Sequence, residues 1–464
     1  MFVATVDSMP STRSGRLFVE ECDITELAHQ FGTPVFALSA ARIRENYARL
    51  ERAFADRWTE GAVRVLPAFK AAPYLAVRQI LSQLGAGCDT FGESELEGAV
   101  RGGTDPSLIS VNGSIKSREV IRRGIEIGAR IVIDAPRELE ICSAEARRLG
   151  KPARILFRIK PELAGLDVES DFAPVPVHEL TARVRYGLPT NEVLPLGPLA
   201  AADDSIQVLG FHAHVGRQST DMKLWDALVR ATVGLMDELV RAWQWADWAP
   251  EILDFGGGFA PPRNYDTDHH RSGEPAPPIE TYAETMTRAL RESLAERGIP
   301  AQGLTLEMEP GRSLHSDTGV HLSRITNIKT DSGPAQRTWL EIDTSEQFLG
   351  TYAMDPSQHP FLFRVANRAE ESATQTVDIV GKSCGGEMLL LDAQVPEVEV
   401  GDVIALEDTG AYIESLACNF NALPRPGTLL VDGSQAEWIR RPETIDEVYA
   451  RDIIPSALAE NKRP

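Results

Sequence analysis

The sequence has few cysteines and no long apolar or basic segment. Its 5 cysteines include no CxxC pair, so we expect reduced thiols rather than a disulfide framework or a structural zinc site. No apolar run approaches about 18 residues, and the N-terminus lacks the pattern of a signal peptide. The net charge of −21 opposes binding to nucleic acid or to an anionic membrane. These absences favour a cytoplasmic protein that binds neither.

A short apolar, β-branched run followed by a helix-like stretch recurs along the first two thirds of the chain. Eight such runs predict a parallel α/β fold, and that number favours a closed (β/α)8 barrel over an open doubly wound sheet, which is the alternative. The predicted strands are Arg64–Lys70, Gly87–Phe91, Leu108–Gly113, Arg130–Ala135, Ala153–Lys160, Val208–Gly216, Glu251–Gly258 and Leu304–Pro310. The helices predicted between them include Ala72–Leu84, Ser94–Gly102, Arg137–Leu149, Met222–Trp243 and Thr281–Arg297.

Beyond about residue 315 the helical spacing fades and short strands predominate. The predicted strands are Val320–Ile328, Thr338–Asp343, Thr376–Val380, Glu387–Leu391, Val403–Leu406 and Gly427–Val431. Together with an N-terminal run, Pro34–Leu38, they predict a β-rich second domain. We therefore expect residues 1–45 to belong to the β domain, residues 46–315 to form the barrel, and residues 316–464 to complete the β domain.

Chemically versatile residues fall at the ends of the predicted barrel strands. Lys70 ends the first strand, Asp89 lies in the second, His214 ends the sixth and Glu309 ends the eighth. Long inserts, 161–189 and 261–278, follow the fifth and seventh strands. Barrel enzymes build their active sites from the carboxyl ends of their strands and the loops that follow. The pattern predicts one site at the mouth of the barrel.

Several of these residue types suit a phosphorylated aldehyde cofactor. Lys70 lies in an apolar segment, and a desolvated amine with a lowered pKa is a nucleophile suited to a Schiff base. Glycines 256–258 would let backbone N–H groups approach a phosphate, and Arg312 would add a bidentate contact. Glu309 would hold a ring nitrogen protonated. Each also has an ordinary interpretation: a lysine reaching solvent, a tight turn, a salt-bridged arginine.

Two histidines, His212 and His214, share the inward parity of the sixth strand. One of them could lie flat against an aromatic ring, and the ordinary alternative is a hydrogen-bonded core histidine. They could also be metal ligands, but no acidic partner completes a site nearby in the sequence, so no metal is predicted.

In combination, these motifs resemble those of the fold-type III pyridoxal 5′-phosphate (PLP)-dependent amino-acid decarboxylases, the group of diaminopimelate, ornithine and arginine decarboxylases. The likeness extends from Phe31 to Gly433. The motifs that carry it are Ala68–Ala71 (AFKA), His214–Gly216 (HVG), Gly256–Phe259 (GGGF), Glu309–Arg312 (EPGR), Ser383–Gly386 (SCGG) and Asp408–Tyr412 (DTGAY).

The resemblance implies a PLP-binding barrel with a β domain, and it implies roles for individual residues. Lys70 would hold PLP as a Schiff base, His214 would stack on the ring, and Glu309 would pair with the ring nitrogen. Cys384 would be donated by the partner subunit and would assist protonation after CO₂ leaves, which implies a homodimer with shared sites. The implied cofactor-binding set is Lys70, Asp89, His214, Gly257, Gly258, Glu309, Arg312 and Tyr412.

The chain departs from the family pattern where family members recognise their substrates. Arg217 stands where serine is frequent, and Gly385 stands where Asp or Glu usually follows the cysteine, so that the nearest acid is Glu387. Diaminopimelate decarboxylases carry an arginine for the distal carboxylate in the stretch corresponding to Asp343–Phe363, which here has none. Diaminopimelate is therefore disfavoured. The candidate substrate contacts are Asp343, Glu387 and Tyr412.

The C-terminal segment Arg440–Ile453 and the insert after Gly258 are similar to those of decarboxylases that act on D-ornithine and D-lysine. The predicted reaction is thus PLP-dependent decarboxylation of an amino acid, either a diamino acid or a biosynthetic intermediate. The alternatives are racemisation or another carbanion reaction on PLP, and a cofactor-binding regulatory protein. The β domain with Cys384 and Tyr412 argues against the regulatory alternative.

Overall fold

The structure, a computed structural model, describes residues 9–163, 169–170, 173–216, 218–245, 248–261, 276–334, 336–350 and 361–459. The strands are β1 (Ser11–Arg13), β2 (Arg16–Val19), β3 (Cys22–Asp23), β4 (Val35–Ser39), β5 (Val63–Val65), β6 (Cys88–Thr90), β7 (Ile109–Val111), β8 (Arg130–Ile133), β9 (Ala153–Arg158), β10 (Glu169–Ser170), β11 (Ala173–Pro176), β12 (Ile206–His212), β13 (Ile252–Asp254), β14 (Thr305–Met308), β15 (Gly319–Thr330), β16 (Thr338–Ile342), β17 (Phe363–Val365), β18 (Gln375–Val380), β19 (Met388–Val395), β20 (Val403–Glu407), β21 (Gly427–Asp432) and β22 (Gln435–Arg440). The helices are α1 (Ile24–Phe31), α2 (Ala40–Ala55), α3 (Leu75–Gln83), α4 (Glu93–Arg101), α5 (Arg118–Ile127), α6 (Pro136–Leu149), α7 (Val177–Arg183), α8 (Thr190–Val193), α9 (Leu196–Ala201), α10 (Met222–Ala242), α11 (Ile279–Glu296), α12 (Arg312–His315), α13 (Ile445–Val448) and α14 (Ser456–Ala459).

The chain divides into two compact units. The β unit comprises the described parts of Met1–Ser39, Gly319–Thr409 and Leu416–Pro464. The barrel unit comprises Ala40–Thr318, as far as it is described, together with Gly410–Ser415, a short return of the chain that carries Tyr412. The domain boundaries drawn from the sequence at residues 45 and 315 stay predictions.

Eight parallel strands form the barrel in the order β5-β14-β13-β12-β9-β8-β7-β6. The two end strands meet where the Gly87 N–H donates to the Val65 carbonyl (2.9 Å) and where Ala68 and Asp89 form a parallel bridge. The predicted (β/α)8 barrel is thus confirmed over the open-sheet alternative, since each strand lies beside its neighbours in chain order.

The barrel helices begin and end at residues that suit helix termini. Ser117 caps α5 by accepting a hydrogen bond from the Val120 N–H, and α6 begins at Pro136, which needs no N–H partner. Gly128 and Gly150 end α5 and α6 in the left-handed region, at φ 86° and 63°. These caps set short connections to the next strand, as parallel barrels require.

All eight barrel strands end before the residues predicted from the sequence, so Gly256–Gly258 and Glu309 lie just beyond β13 and β14. The first ends at Val65 rather than at Lys70, which lies in a single helical turn, Phe69–Ala71. Beyond Val65, the N–H groups of Leu66 and Ala68 still donate to the carbonyls of Met308 and Pro310. The sixth ends at His212, so that His214 lies in the loop that follows.

A buried ion pair spans the interior of the barrel. Arg130 on β8 and Glu307 on β14, strands on opposite sides of the barrel, are both fully buried and form a bidentate pair at 2.8 and 2.7 Å. Val132, Leu156, Leu209 and Ile252 form an apolar cluster on the four strands between and beside them. Because side chains alternate along a strand, Glu309 faces inward like Glu307.

The β unit contains a nine-stranded sheet. Its N-terminal strand β4 pairs with β15 on one side and with β21 on the other, so the predicted contribution of N-terminal strands to this unit is confirmed. Apolar residues of these strands and of α1 form its core, including Leu27, Val35, Leu322 and Leu429. No helix within the described residues has the length and apolar character needed to cross a membrane.

We predict that Arg130→Met lowers the free energy of unfolding of the barrel unit by up to about 3–5 kcal/mol, because the buried Glu307 then keeps only the partly exposed Arg64, at 3.2 Å, as a counter-ion. Urea unfolding followed by tryptophan fluorescence measures the loss. Arg147→Met is the control, since the Arg147 side chain is 66% exposed and its pair with Asp203 is worth at most about 1 kcal/mol. Equal losses in the two variants would show that Arg130 does not stabilise the barrel through Glu307.

Candidate active site

Lys70 and Asp89 form an ion pair at the mouth of the barrel. Lys70 Nζ lies 2.7 Å from Asp89 Oδ2, and the lysine side chain is 44% exposed while that of Asp89 is 3% exposed. Asp89 sits on β6, which adjoins the strand end that precedes Lys70. The structure therefore places these two predicted residues together, with the amine open to the mouth and its counter-ion buried.

Asn112 connects this pair to Glu309. Its Nδ2 donates to Asp89 Oδ1 at 2.8 Å and to Glu309 Oε1 at 2.7 Å. Hydrogen bonds thus run without a break from Lys70 through Asp89 and Asn112 to Glu309. The sequence analysis missed Asn112, although a polar side chain just after the third strand was the signal that could have found it.

Glu309 also contacts the strands on its other side. His212 Nε2 lies 3.2 Å from Glu309 Oε2, and ligand atoms of His212, Asp254 and Glu309 all lie within 4.8 Å of one another. The expectation that no acidic residue accompanies the histidines is wrong, because β12, β13 and β14 are neighbours that bring their ends together. Burial lowers the pKa of His212 well below its ordinary value, so the neutral ring donates its Nε2–H to Glu309.

The charge on Lys70 differs from the expectation of a lowered pKa. Desolvation of the amine by the surrounding protein would by itself lower its pKa, but the pKa of Lys70 is raised above its ordinary value because Asp89, then Tyr412 and Glu309, lie close to the amine. In the protein without cofactor, these neighbours favour the protonated amine. Asp89 Oδ2 is the counter-ion that holds the proton there.

The glycine run is needed for close approach of the backbone. Gly257 N–H donates to His214 Nδ1 at 3.0 Å, and a Cβ at Gly257 would lie 2.1 Å from the Glu309 carbonyl oxygen. Gly256 has φ 65°, a left-handed conformation that other residues adopt only with strain. This hydrogen bond orients the His214 ring, which is exposed at the mouth.

Arg312 and Tyr412 meet on the side of the eighth strand. The Arg312 guanidinium lies 4.8 Å from the centre of the Tyr412 ring, and the Tyr412 N–H donates to the Ala71 carbonyl at 2.9 Å. A Cβ at Gly311 would lie 2.3 Å from the Tyr412 hydroxyl. An arginine, a phenol and a glycine-rich backbone together supply the donors that a phosphate requires. The residues present therefore fit the phosphate of PLP.

Cys384 lies in the β unit and is exposed. Its N–H donates to Asn421 Oδ1 at 2.9 Å, and Asn421 Nδ2 donates to its sulfur at 3.2 Å. Asn421 itself has φ 56°. Asn421, which the sequence analysis also missed, thus fixes both the backbone and the thiol of Cys384.

The two acidic residues predicted to contact substrate are engaged within the β unit. Asp343 accepts three hydrogen bonds from side-chain hydroxyls and a backbone N–H. Glu387 is 3% exposed and accepts one from a serine hydroxyl and one from a backbone N–H. These contacts assign both carboxylates to the architecture of the unit and do not favour the substrate role, which stays a prediction.

Glu346 is a more accessible acid beside the Cys384 loop. A Cβ at Gly385 would lie 2.6 Å from Glu346 Oε1, so the glycine leaves room for this carboxylate. Burial and the neighbouring Glu387 raise its pKa, and it forms no salt bridge within the described part of the chain. Arg217, and residues 351–360 of the stretch Asp343–Phe363, lie outside the described residues.

The chain is similar to pyridoxal-dependent decarboxylases in both sequence and structure. The family model described as "Pyridoxal-dependent decarboxylase, pyridoxal binding domain" matches residues 40–316. Diaminopimelate decarboxylase from Pseudomonas aeruginosa is 31% identical over 96% of this chain and 98% of its own length. That from Methanothermobacter thermautotrophicus is 30% identical over 96% and 97%. A crystal structure of diaminopimelate decarboxylase from M. jannaschii in co-complex with L-lysine has a TM-score of 0.82 and 28% identity over 96% of this chain and 98% of that one.

We predict that Asp89→Asn lowers the pKa of Lys70, because burial then acts without the adjacent counter-ion. In protein freed of cofactor, Lys70 should become reactive toward an acylating reagent at a lower pH than in the unsubstituted protein. Mass spectrometry of labelled peptides across a pH series measures the shift, with Lys329, 61% exposed in the β unit, as the internal reference. An unchanged labelling profile for Lys70 would contradict the role assigned to Asp89.

Proposed function

Because the chain belongs to the family of pyridoxal-dependent decarboxylases, we propose that its barrel mouth holds PLP on Lys70 and decarboxylates a diamino acid there. PLP dependence and amino-acid decarboxylation characterise the family, and the relatives do not favour racemisation or a regulatory role. The observation that carries the proposal is the unbroken chain of contacts from Lys70 through Asp89 and Asn112 to Glu309.

The two ends of that chain have different tasks. When bound, the pyridinium ring of PLP supplies an electron sink for the pair left behind as CO₂ departs. Glu309 keeps the proton on the ring nitrogen, because a buried carboxylate favours an adjacent cation. Asp89 orients the Lys70 amine, which must lose a proton before it can act as a nucleophile. Asn112 holds the two carboxylates at a fixed separation.

The remaining barrel residues bind and orient. Arg312, with the Tyr412 hydroxyl and the N–H group of Gly258, would hold the phosphate, whereas the Gly257 N–H is already donated to His214. His214, fixed through its Nδ1, presents its ring to the mouth, where it would stack on the cofactor. Barrel residues would thus hold both the phosphate and the ring nitrogen of the cofactor while the substrate binds and reacts.

Cys384 is proposed as the proton donor after CO₂ leaves, contributed by the partner subunit of a homodimer. The support is its exposure and its two contacts with Asn421, which hold an accessible thiol in one orientation. The homodimer, its shared sites and a cytoplasmic location are proposals that rest on the resemblance to the family.

The proposed substrate is a diamino acid, with its distal ammonium group recognised by acidic residues. Two observations support this choice: the relatives act on diaminopimelate, and Glu346 occupies the space that Gly385 leaves beside Cys384. The sequence from Asp343 to Phe363 has no arginine for a second carboxylate. We therefore favour a substrate of the lysine or ornithine type over diaminopimelate.

Lys70→Ala should abolish the visible absorbance band of lysine-bound PLP and lower kcat/KM for CO₂ release by at least about 100-fold, since it removes a positioned nucleophile and proton-transfer group. Absorbance spectra and a CO₂ assay measure the two effects. Lys329→Ala, at an exposed position in the β unit, is the matched control and should keep both. A Lys70→Ala protein that retained the band and the turnover would disprove the assignment.

A panel of D- and L-lysine, D- and L-ornithine and diaminopimelate tests the substrate proposal. We expect CO₂ release from a lysine- or ornithine-type substrate to exceed that from diaminopimelate, because no arginine is supplied for the distal carboxylate. Glu346→Gln should raise KM for the preferred substrate by about 10-fold, the cost of losing one charge-assisted contact. Exclusive turnover of diaminopimelate, or an unchanged KM, would refute this choice of substrate class.

A further inference from the structure

Three inward-facing carboxylates lie close together, namely Asp254 on β13, Glu307 on β14 and Glu309 directly after β14. Both terminal nitrogens of the Arg130 guanidinium donate hydrogen bonds to the Glu307 carboxylate. Asp254 is 1% exposed and forms no salt bridge within the described parts of the chain. A buried carboxylate without a cation is costly in the ionised form. An ionised Asp254 would therefore be destabilised at this position.

The two oxygens of Asp254 have different surroundings. Oδ1 accepts a hydrogen bond from the Gly256 N–H at 2.8 Å. Oδ2 is buried and receives no donor from the described residues, yet the carboxyl group lies beside that of Glu309, within the 4.8 Å cluster that also includes His212. Two adjacent buried carboxyl groups share one proton rather than ionise together.

The surroundings of the pair decide which member keeps the proton. Burial raises the pKa of Glu309, but the hydrogen bonds from Asn112 and His212 and the positive charges of Lys70 and Arg158 oppose that shift and favour its ionised form. Within the described residues, Asp254 has fewer such groups, namely the Gly256 N–H and the charge of Arg130. Burial, followed by the charges of Glu309 and Glu307, raises the pKa of Asp254 well above its ordinary value.

We propose that Asp254 is a positioning residue that carries a proton on Oδ2 and donates it in a hydrogen bond to Glu309, so that Glu309 stays ionised opposite the ring nitrogen of PLP. This inference rests on the proposed role of Glu309. The pair then carries one negative charge, which matches the single positive charge of a protonated ring nitrogen. A second charge on Asp254 would be left unbalanced in the interior.

The arrangement also explains why a carboxylic acid occupies this position. A neutral acid is at once an acceptor, used by Gly256, and a donor, used by Glu309. Alanine offers neither group, whereas asparagine offers both through its amide. Asp254→Asn therefore mimics the protonated acid, while it would not mimic an ionised one.

Infrared difference spectroscopy of the PLP-loaded protein tests the proton directly. The unsubstituted protein should show a C=O stretching band of a protonated carboxyl group at neutral pH that shifts in deuterated water, and Asp254→Asn should lack it. The proposal would be overturned if the spectra of the unsubstituted protein and of Asp254→Asn showed the same carboxyl bands. So would a divalent metal bound stoichiometrically to the purified protein through this cluster, since a cation would replace the shared proton.

Nitrogen-15 NMR of protein loaded with ¹⁵N-ring-labelled PLP tests the consequence. Asp254→Asn should keep the ring nitrogen protonated, as in the unsubstituted protein, and should rescue most of the turnover that Asp254→Ala loses. For Asp254→Ala we expect kcat to fall by about 10- to 100-fold, the usual cost of a hydrogen bond to a charged group, with an altered pH profile. Glu309→Gln is the comparison in which the ring nitrogen should lose its proton.

The outcomes separate this inference from the proposed function. If Asp254→Asn resembles Glu309→Gln in ring protonation and in turnover, Asp254 acts as a charged group and the inference is wrong while the role of Glu309 stands. If the ring nitrogen is unprotonated in the unsubstituted protein, the proposed role of Glu309 fails and this inference fails with it. If Asp254→Ala does not fold, the asparagine variant and the infrared band still decide the question.

Discussion

The ion pair between Arg130 and Glu307 is the constraint on which the rest of the barrel depends. It joins strands on opposite sides and is fully buried, so it fixes which face of β14 points inward. Glu309, two residues further along, must then face the same interior at the carboxyl end of the strand. Both terminal nitrogens of Arg130 are bound to Glu307, and Asp254 forms no salt bridge within the described residues. Nearer the mouth, Glu309 is stabilised instead by amide and histidine hydrogen bonds and by the charges of Lys70 and Arg158.

The mouth is organised as a hydrogen-bonded chain rather than as isolated catalytic groups. Lys70 and Glu309 act at different ends of the cofactor in the proposed mechanism, and Asp89 with Asn112 fixes the distance between them. In a low-dielectric interior such networks couple their members, so a change at one carboxylate alters the others. The raised pKa of Lys70 is an example, because it depends on Asp89 and, to a smaller extent, on Tyr412 and Glu309. Anchoring on several strands keeps the geometry while the loops vary among family members.

In the proposed function, the β unit supplies the residues that select the substrate. Gly385 would count as a lost substrate contact from the sequence alone, but its missing Cβ provides the space in which the Glu346 carboxylate lies. Glu387, the nearest acid in the sequence, is instead buried and holds the segment that carries Glu346. In the proposed function, Glu346 therefore serves as the acid beside the Cys384 loop. A change of this kind would let an enzyme keep its chemistry and change the side chain that it accepts.

The sequence by itself determined the barrel and its eight strands, because strand periodicity is a local property. Its motifs also named Lys70, Asp89, His214, Glu309 and Arg312 as candidate site residues near the ends of those strands. It did not reveal Asn112, Asp254 or Asn421, since an amide or a carboxyl group has no distinctive local pattern and acquires its role only from neighbours distant in the chain. The pKa of Lys70 was misjudged for the same reason: burial can be inferred from an apolar segment, but a counter-ion on the next strand cannot. Only the closed barrel brings β12, β13 and β14 together, and that proximity decides which buried groups hold charge and which hold protons.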